Sequence, residues 1–239
     1  TFAKDASNNE CKAQTNGGGI YISGGGMLRV ESDSSLEYCS SAKQGGGIYA
    51  SGGTVTVDAS TIGHCSSTNS SGGGIYITDG TVNLNGTTVL EYCTADNSNS
   101  SYGGAIDVVN STLNMTSGEP EIRNCSAWRG GAIRVTGSNG KVNISVGTIQ
   151  SNETFLRDTL LGNGGAIRME SGTEVNISGG TISGNTAQGY GGAIHNNGGA
   201  LNITGGTISG NTASGSGKIF GGAVYLQSGT ASISGGALS

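Results

Sequence analysis

The sequence predicts an all-β fold, a single-stranded parallel β-helix of about eight turns with three short strands in each turn. Three observations lead to this prediction. The four-residue pattern GG(G/A)(I/V) occurs eight times, at intervals of 27 to 34 residues. Two further segments with alternating apolar residues follow each occurrence, and glycine, serine or asparagine separates the segments. Repeats of this length are typical of solenoids, in which each turn packs only on its neighbours.

The glycine pattern introduces the first strand of each turn. Its aliphatic residue and the residue two positions later are expected to face inward, because side chains alternate along a strand. These inward companions are apolar in every turn except the seventh, where Asn196 occurs. The eight aliphatic residues are Ile20, Ile48, Ile75, Ile106, Ile133, Ile167, Ile194 and Val224.

The second and third strands follow at regular distances from the first. The second strand is centred on Leu28, Val55, Val82, Leu113, Val142, Val175, Leu201 and Ala231. The third strand is centred on Leu36, Ile62, Leu90, Ile122, Ile149, Ile182, Ile208 and Leu238. The 47 glycines and the lack of helical periodicity exclude helical repeats. Propeller blades need four strands and about 40 residues per repeat, which this spacing does not provide.

Composition restricts the partners. The net charge is −5 and the 11 basic residues do not cluster, so we expect no nucleic-acid partner. No apolar run approaches the roughly 18 residues of a membrane span, so we expect no membrane insertion by this segment. The continuous repeat predicts one β-helix domain over residues 1–239. Its incomplete first and last turns predict a fragment of a longer chain, with neighbouring turns or domains packed on both ends.

The outward positions of the first strands provide the first candidate binding surface. They read Tyr21, Tyr49, Tyr76, Asp107, Arg134, Arg168, His195 and Tyr225. Aromatic faces and guanidinium groups suit sugars and protein epitopes, and the predicted ligand-binding residues are therefore Tyr21, Tyr49, Tyr76, Arg134, Arg168 and His195. The alternative is that good strand formers simply stack on each other along the sheet. Asp107 and Arg134 are expected to form a surface ion pair.

A long connection provides the second candidate surface. Residues 94–102, 153–163 and 212–220 are the long turns, and all three precede a glycine pattern. The middle one is unusually apolar for an exposed turn, which predicts a partner contact. Its candidate residues are Phe155, Leu156, Arg157, Leu160 and Leu161. The alternative is a lid that folds back over the side of the β-helix.

Two polar columns predict internal structure. Stacked Asn83, Asn114, Asn143, Asn176 and Asn202 are expected to exchange side-chain hydrogen bonds between turns. After the third strand, a column runs Cys39, Cys65, Cys93, Cys125, Asn152, Asn185 and Asn211, with Cys11 upstream. It predicts a bend with an inward small side chain and Asn bonded to turn backbone.

The cysteines are within disulfide reach from turn to turn, but we favour a reduced, buried stack because their number is odd. His64 and His195 are isolated and form no metal-ligand pattern, so no metal and no cofactor are expected.

Two motifs resemble a known repeat. GGAI begins at Gly103, Gly130, Gly164 and Gly191, GGAV begins at Gly221, and IxxN occurs at residues 149–152, 182–185 and 208–211. This combination is similar to the repeat of the chlamydial polymorphic outer-membrane proteins. The resemblance implies a right-handed parallel β-helix, an autotransporter-like passenger that is exported to the cell surface and used in adhesion. The sequence GGTISGNTA also resembles β-helical stalks of other large microbial surface proteins.

We therefore expect an extracellular or cell-surface segment without enzymatic activity, which acts in adhesion by binding a host extracellular protein or glycan. The alternative is a structural stalk that projects another domain. A polysaccharide-degrading enzyme is the remote alternative, because the 16 acidic residues include no pair placed for glycoside hydrolysis or calcium binding.

Overall fold

The computed structural model describes residues 10–96, 101–156, 161–215 and 219–239. Their regular structure consists of parallel β-strands stacked into a solenoid of about eight turns. This arrangement confirms the predicted all-β parallel β-helix. The described part of the chain contains no helix that could cross a membrane.

The first and second strands of the turns belong to one 14-stranded sheet. The separate first strands are Ile20–Ile22, Ile48–Ser51, Ile75–Thr78, Ile106–Val109, Ile133–Thr136 and Ile167–Met169. The separate second strands are Met27–Glu31, Thr54–Asp58, Thr81–Asn85, Thr112–Met115, Lys141–Ile144 and Glu174–Ile177. In the last two turns the two strands are continuous, as Ile194–Ile203 and Val224–Ile233.

The third strands form an eight-stranded sheet: Ser35–Glu37, Thr61–Gly63, Val89–Glu91, Glu121–Arg123, Thr148–Gln150, Thr181–Ser183, Thr207–Ser209 and Ala237–Leu238. A further short strand, which the sequence did not predict, follows the bend at the Cys and Asn column. These short strands form a second eight-stranded sheet: Cys11–Ala13, Cys39–Ser41, Ser66–Ser67, Thr94–Ala95, Ser126–Ala127, Glu153–Thr154, Thr186–Ala187 and Thr212–Ala213. The three long connections therefore begin with a strand and are shorter than predicted.

The register between turns places like residues on like residues. Ile75 pairs with Ile48 on one side and with Ile106 on the other, and all three side chains are fully buried. Asn196 is the polar exception among the inward companions of the first strands. Its side chain accepts from the backbone N–H of Gly199 and donates to the carbonyl groups of Gly199 and Thr230. The buried amide thereby stabilises the irregular connection that joins the two strands of its turn.

Close stacking explains the paired glycines. Gly130 has φ of +66°, a left-handed conformation that residues with a side chain rarely adopt. At Gly131 a Cβ atom would lie 2.3 Å from the carbonyl oxygen of Gly165 in the next turn. The next position has room for a methyl group, and Ala132 is fully buried there. The first glycine is thus needed for its conformation and the second for its lack of a side chain.

The bend after the third strand follows the predicted pattern. Cys65 and Cys93 are fully buried, and so is Asn185 further along the column. Asn185 Nδ2 donates to the carbonyl of Ile149 at 3.0 Å, while the backbone N–H of Asn152 donates to Asn185 Oδ1 at 3.0 Å. The prediction of an inward side chain and of Asn bonded to turn backbone is confirmed.

The asparagine column on the second strands also forms as predicted. Asn114 Nδ2 donates to Asn83 Oδ1 at 2.9 Å, and Asn143 Nδ2 donates to Asn114 Oδ1 at 2.9 Å. Asn176 and Asn202 continue the series at 3.0 Å and 2.9 Å. Each side-chain amide donates a hydrogen bond to the amide oxygen of the preceding turn, so this column fixes the register of the stack.

Candidate functional site

The outward positions of the first strands form an exposed tyrosine ladder at one end. The Tyr21 and Tyr49 rings stack at 4.9 Å between centroids, and the Tyr49 and Tyr76 rings stack at 5.4 Å. Tyr21 is 57% exposed, while the other two are half-buried. Burial, and next the charge of Asp107, raise the pKa of Tyr76 to about 12. The structure therefore brings three of the predicted residues together on an accessible surface.

The prediction of an exposed stripe is wrong further along the stack. Asp107 and His195 are fully buried, and Arg168 is 4% exposed. Residues that precede the glycine patterns contact this side of the β-helix. The Tyr190 ring lies 6.4 Å from the His195 ring, and Trp128 provides further aromatic packing in the preceding turns. The alternation in the sequence correctly predicted that these side chains point outward, but it did not predict that residues from the connections bury them.

Asp107 and Arg134 form a buried ion pair, where a surface pair was predicted. Arg134 Nε donates to Asp107 Oδ1 at 2.8 Å, and Nη2 donates to Oδ2 at 2.7 Å. Arg134 Cζ also lies 4.0 Å from the centroid of the Tyr102 ring. Burial raises the pKa of the Asp107 carboxyl, although Arg134 favours the carboxylate. The pair is therefore part of the packed structure, and the predicted binding residue Arg134 is largely engaged.

Arg168 and His195 form a second buried polar group. Arg168 Nε donates to Glu170 Oε1 at 3.1 Å and Nη2 donates to Oε2 at 3.2 Å. Asn197 donates to the same carboxylate at 3.0 Å. Arg168 Nη1 contacts His195 Nδ1, and since a guanidinium group only donates, this nitrogen is the acceptor of a neutral imidazole. Burial and the nearby Arg168 lower the pKa of His195 to about 3.

Trp128 and Arg129 lie directly before the fifth glycine pattern. The Trp128 ring is 4% exposed and stacks on the Tyr102 ring at 6.1 Å. Arg129 Cζ lies 4.0 Å from the centroid of the Trp128 ring. Within the described part of the chain, the buried Trp128 Nε1 and Arg129 Nε atoms have no hydrogen-bond partner. Burial, and next the positive charge of Arg168, lower the pKa of Arg129.

Sequence reasoning missed a second aromatic ladder. The rings of Tyr38 and His64 stack at 4.7 Å, and those of His64 and Tyr92 stack at 4.9 Å. All three residues have positive φ and directly precede the cysteine column. The position is visible in the sequence, because Asn124, Ser151, Gly184 and Gly210 occupy it in later turns. Glycine and asparagine at equivalent places indicate a left-handed turn.

The apolar connection is only partly described. Leu156 is 48% exposed, whereas Phe155 and Leu161 are half-buried. Arg157 and Leu160 lie outside the described residues. The half-buried side chains of Phe155 and Leu161 agree with packing onto the β-helix, and the exposed Leu156 agrees with a partner contact. Ligand binding by this connection stays a prediction.

The five cysteines are free thiols. Contact with the neighbouring Cys65 thiol and burial raise the pKa of Cys39 well above its ordinary value. Among the residues that the structure describes, no group of three His, Cys, Asp or Glu side chains converges to hold a metal ion.

The comparisons with known proteins concern one turn of this stack. The family model of the Chlamydia polymorphic membrane protein (Chlamydia_PMP) repeat matches residues 179–197. The matched segment contains Thr181–Ser183, the buried Asn185 and the following GGAI pattern. The chain thus carries a β-helix repeat of the polymorphic membrane protein type. No curated protein and no solved structure matches the chain at a significant level.

Proposed function

We propose that the chain is a β-helical segment of a microbial surface protein that acts in adhesion, by binding a host extracellular protein or glycan. The observation that supports this most is the polymorphic membrane protein repeat at residues 179–197, set within an uninterrupted solenoid of the same pattern. The repeat belongs to a family of surface membrane proteins, and an extended stack suits a protein that reaches out from a cell.

The accessible end of the outward stripe is the best binding surface for this function. Tyr21 presents 57% of its surface, and its ring continues through Tyr49 to Tyr76 in one ladder. Large aromatic side chains bury much area at little entropic cost, which is why they are enriched in protein and sugar interfaces. Leu156 adds an exposed apolar side chain elsewhere on the stack.

The test is binding of the folded 239-residue chain to arrays of glycans and host extracellular proteins. Two variants accompany the native chain: Tyr21→Ser with Tyr49→Ser, and Leu156→Ser. Tyr92→Ser is the matched control, because Tyr92 is 48% exposed on the other aromatic ladder. A specific ligand that the tyrosine variant loses and the control retains supports adhesion through this surface. Binding that all variants retain places the contact elsewhere.

A structural stalk is the second candidate. The regular register favours it, since the first-strand residues pair turn on turn from Ile20 to Ile194 without a shift. A stalk must resist bending rather than bind, and three sheets with an asparagine column provide stiffness along the axis. No binding on the arrays, with an intact thermal unfolding transition, favours the stalk and refutes adhesion by this segment.

An enzymatic role has less support. The buried Asp107 is paired with Arg134, and Glu170 is paired with Arg168. A general acid or base must reach its substrate, and neither of these carboxylates is free to do so.

A further inference from the structure

Three guanidinium groups and two carboxylates lie together over the fourth to sixth turns. Asp107 is engaged by Arg134, and Glu170 is engaged by Arg168. Arg129 interacts electrostatically with this group, but no carboxylate in the described part of the chain pairs with it. With each carboxylate assigned to one arginine, Arg129 stacks on the Trp128 ring at 4.0 Å but has no carboxylate in the described part of the chain to neutralise its charge.

The same place presents two donors without acceptors. The indole Nε1 of Trp128 and the Nε of Arg129 are buried and have no hydrogen-bond partner among the residues that the structure describes. The Trp128 side chain is 4% exposed, whereas Arg129 is only half-buried and keeps part of its side chain at the surface. Buried N–H groups without an acceptor are rare in folded proteins, and a half-buried guanidinium group without a carboxylate partner carries a charge that nothing neutralises. Both features indicate a place for an external anion.

We propose that Arg129 and Trp128 bind the carboxylate of an acidic sugar, an inference that rests on the proposed adhesive function. A planar guanidinium group matches a carboxylate in shape as well as in charge. The indole N–H provides a second donor beside it. The half-buried Tyr102 ring stacks on the Trp128 ring at 6.1 Å between centroids and provides an aromatic surface next to these donors, which favours a sugar ring over the flexible side chain of an acidic peptide.

The experiment is calorimetric titration of the 239-residue chain with N-acetylneuraminate and glucuronate at low salt. The methyl esters of both sugars serve as uncharged probes, and N-acetyl-glutamate serves as a peptide-like carboxylate. Arg129→Gln removes the cation, and Trp128→Phe removes the indole N–H while keeping an aromatic ring. Arg29→Gln is the matched control, since Arg29 is an exposed arginine on a second strand. Thermal unfolding is recorded for each variant.

We expect one of the two acidic sugars to bind, whereas its methyl ester does not bind. Arg129→Gln is expected to weaken binding of that sugar by about tenfold or more. Trp128→Phe weakens it by roughly threefold or more, and Arg29→Gln leaves it unchanged. Equal binding of N-acetyl-glutamate overturns the sugar assignment, and an unaffected Arg129→Gln variant overturns the site. A neutral glycan or a host protein that binds on the arrays independently of Arg129 overturns this inference alone. Silence in both experiments overturns the adhesive function too.

Discussion

The neutral, buried imidazole of His195 predicts a specific loss of stability in acid. The pKa of His195 is about 3 in the folded chain, against roughly 6.5 in an unfolded one. The folded state therefore binds fewer protons than the unfolded state between these two values, and stability falls as the pH falls through 6.5. Between pH 7 and pH 5, proton linkage at this one group lowers the free energy of unfolding by about 2 kcal/mol.

The test compares the native chain with His195→Gln in urea denaturation at both pH values. Glutamine keeps a side-chain oxygen that can accept from Arg168 but cannot be protonated in this range. Between pH 7 and pH 5, the free energy of unfolding of the variant is expected to fall by about 2 kcal/mol less than that of the native chain. His64→Gln is the control, because it removes a histidine from the turn before Cys65, outside the buried polar group. Equal losses for the native chain and His195→Gln would refute the reasoning, since they would show that the buried imidazole is charged.

Four further predictions follow from the stacking of the turns. Gly131→Ala is expected to lower the free energy of unfolding by about 2 kcal/mol or more, because a Cβ atom meets the next turn at 2.3 Å; an unchanged thermal transition would contradict this. Asn185→Ala leaves the backbone N–H of Asn152 and the carbonyl of Ile149 without their side-chain partner and is expected to destabilise the chain by about 2 to 3 kcal/mol in urea denaturation. Ser151→Gly relieves a positive φ of 55° and is expected to stabilise by about 0.5 kcal/mol, measured in the same way. Thiol labelling of the folded chain should modify the half-buried Cys11 before the other cysteines, whose burial protects them; simultaneous labelling would show that the stack opens.

Most of the fold could be predicted because each turn repeats the same local chemistry. The pattern around Ile133 and its equivalents predicts both where the first strand lies and which side chains face inward. The register between turns then follows, because equivalent residues pair with each other. The asparagine columns were predictable for the same reason. A side-chain amide carries both a donor and an acceptor, so it can hydrogen-bond to an identical amide in the neighbouring turn. The short fourth strand was missed because two residues such as Thr94 and Ala95 carry no periodicity.

The candidate site was less predictable, because its burial depends on residues from different turns. The alternation of the first strand correctly turns Arg168 and His195 away from the core, but it contains no information about Tyr190, which covers this side from a connection. Arg129 lacks a carboxylate partner in the described part of the chain because other arginines engage Asp107 and Glu170. Such pairing depends on side-chain geometry across several turns, which sequence spacing does not determine.

The continuous ladders have a consequence for how such a chain changes in length. Removing residues 164–190 would delete one complete turn and place Gly191 directly after Asn163. Arg134 would then lie beside His195, and Asn143 would meet Asn202, so that the amide series would stay unbroken. Each turn adds about 4.8 Å along the axis. Duplication or loss of whole turns can therefore change how far the segment projects in small, equal steps. Each step preserves the strand pairing between the turns on both sides.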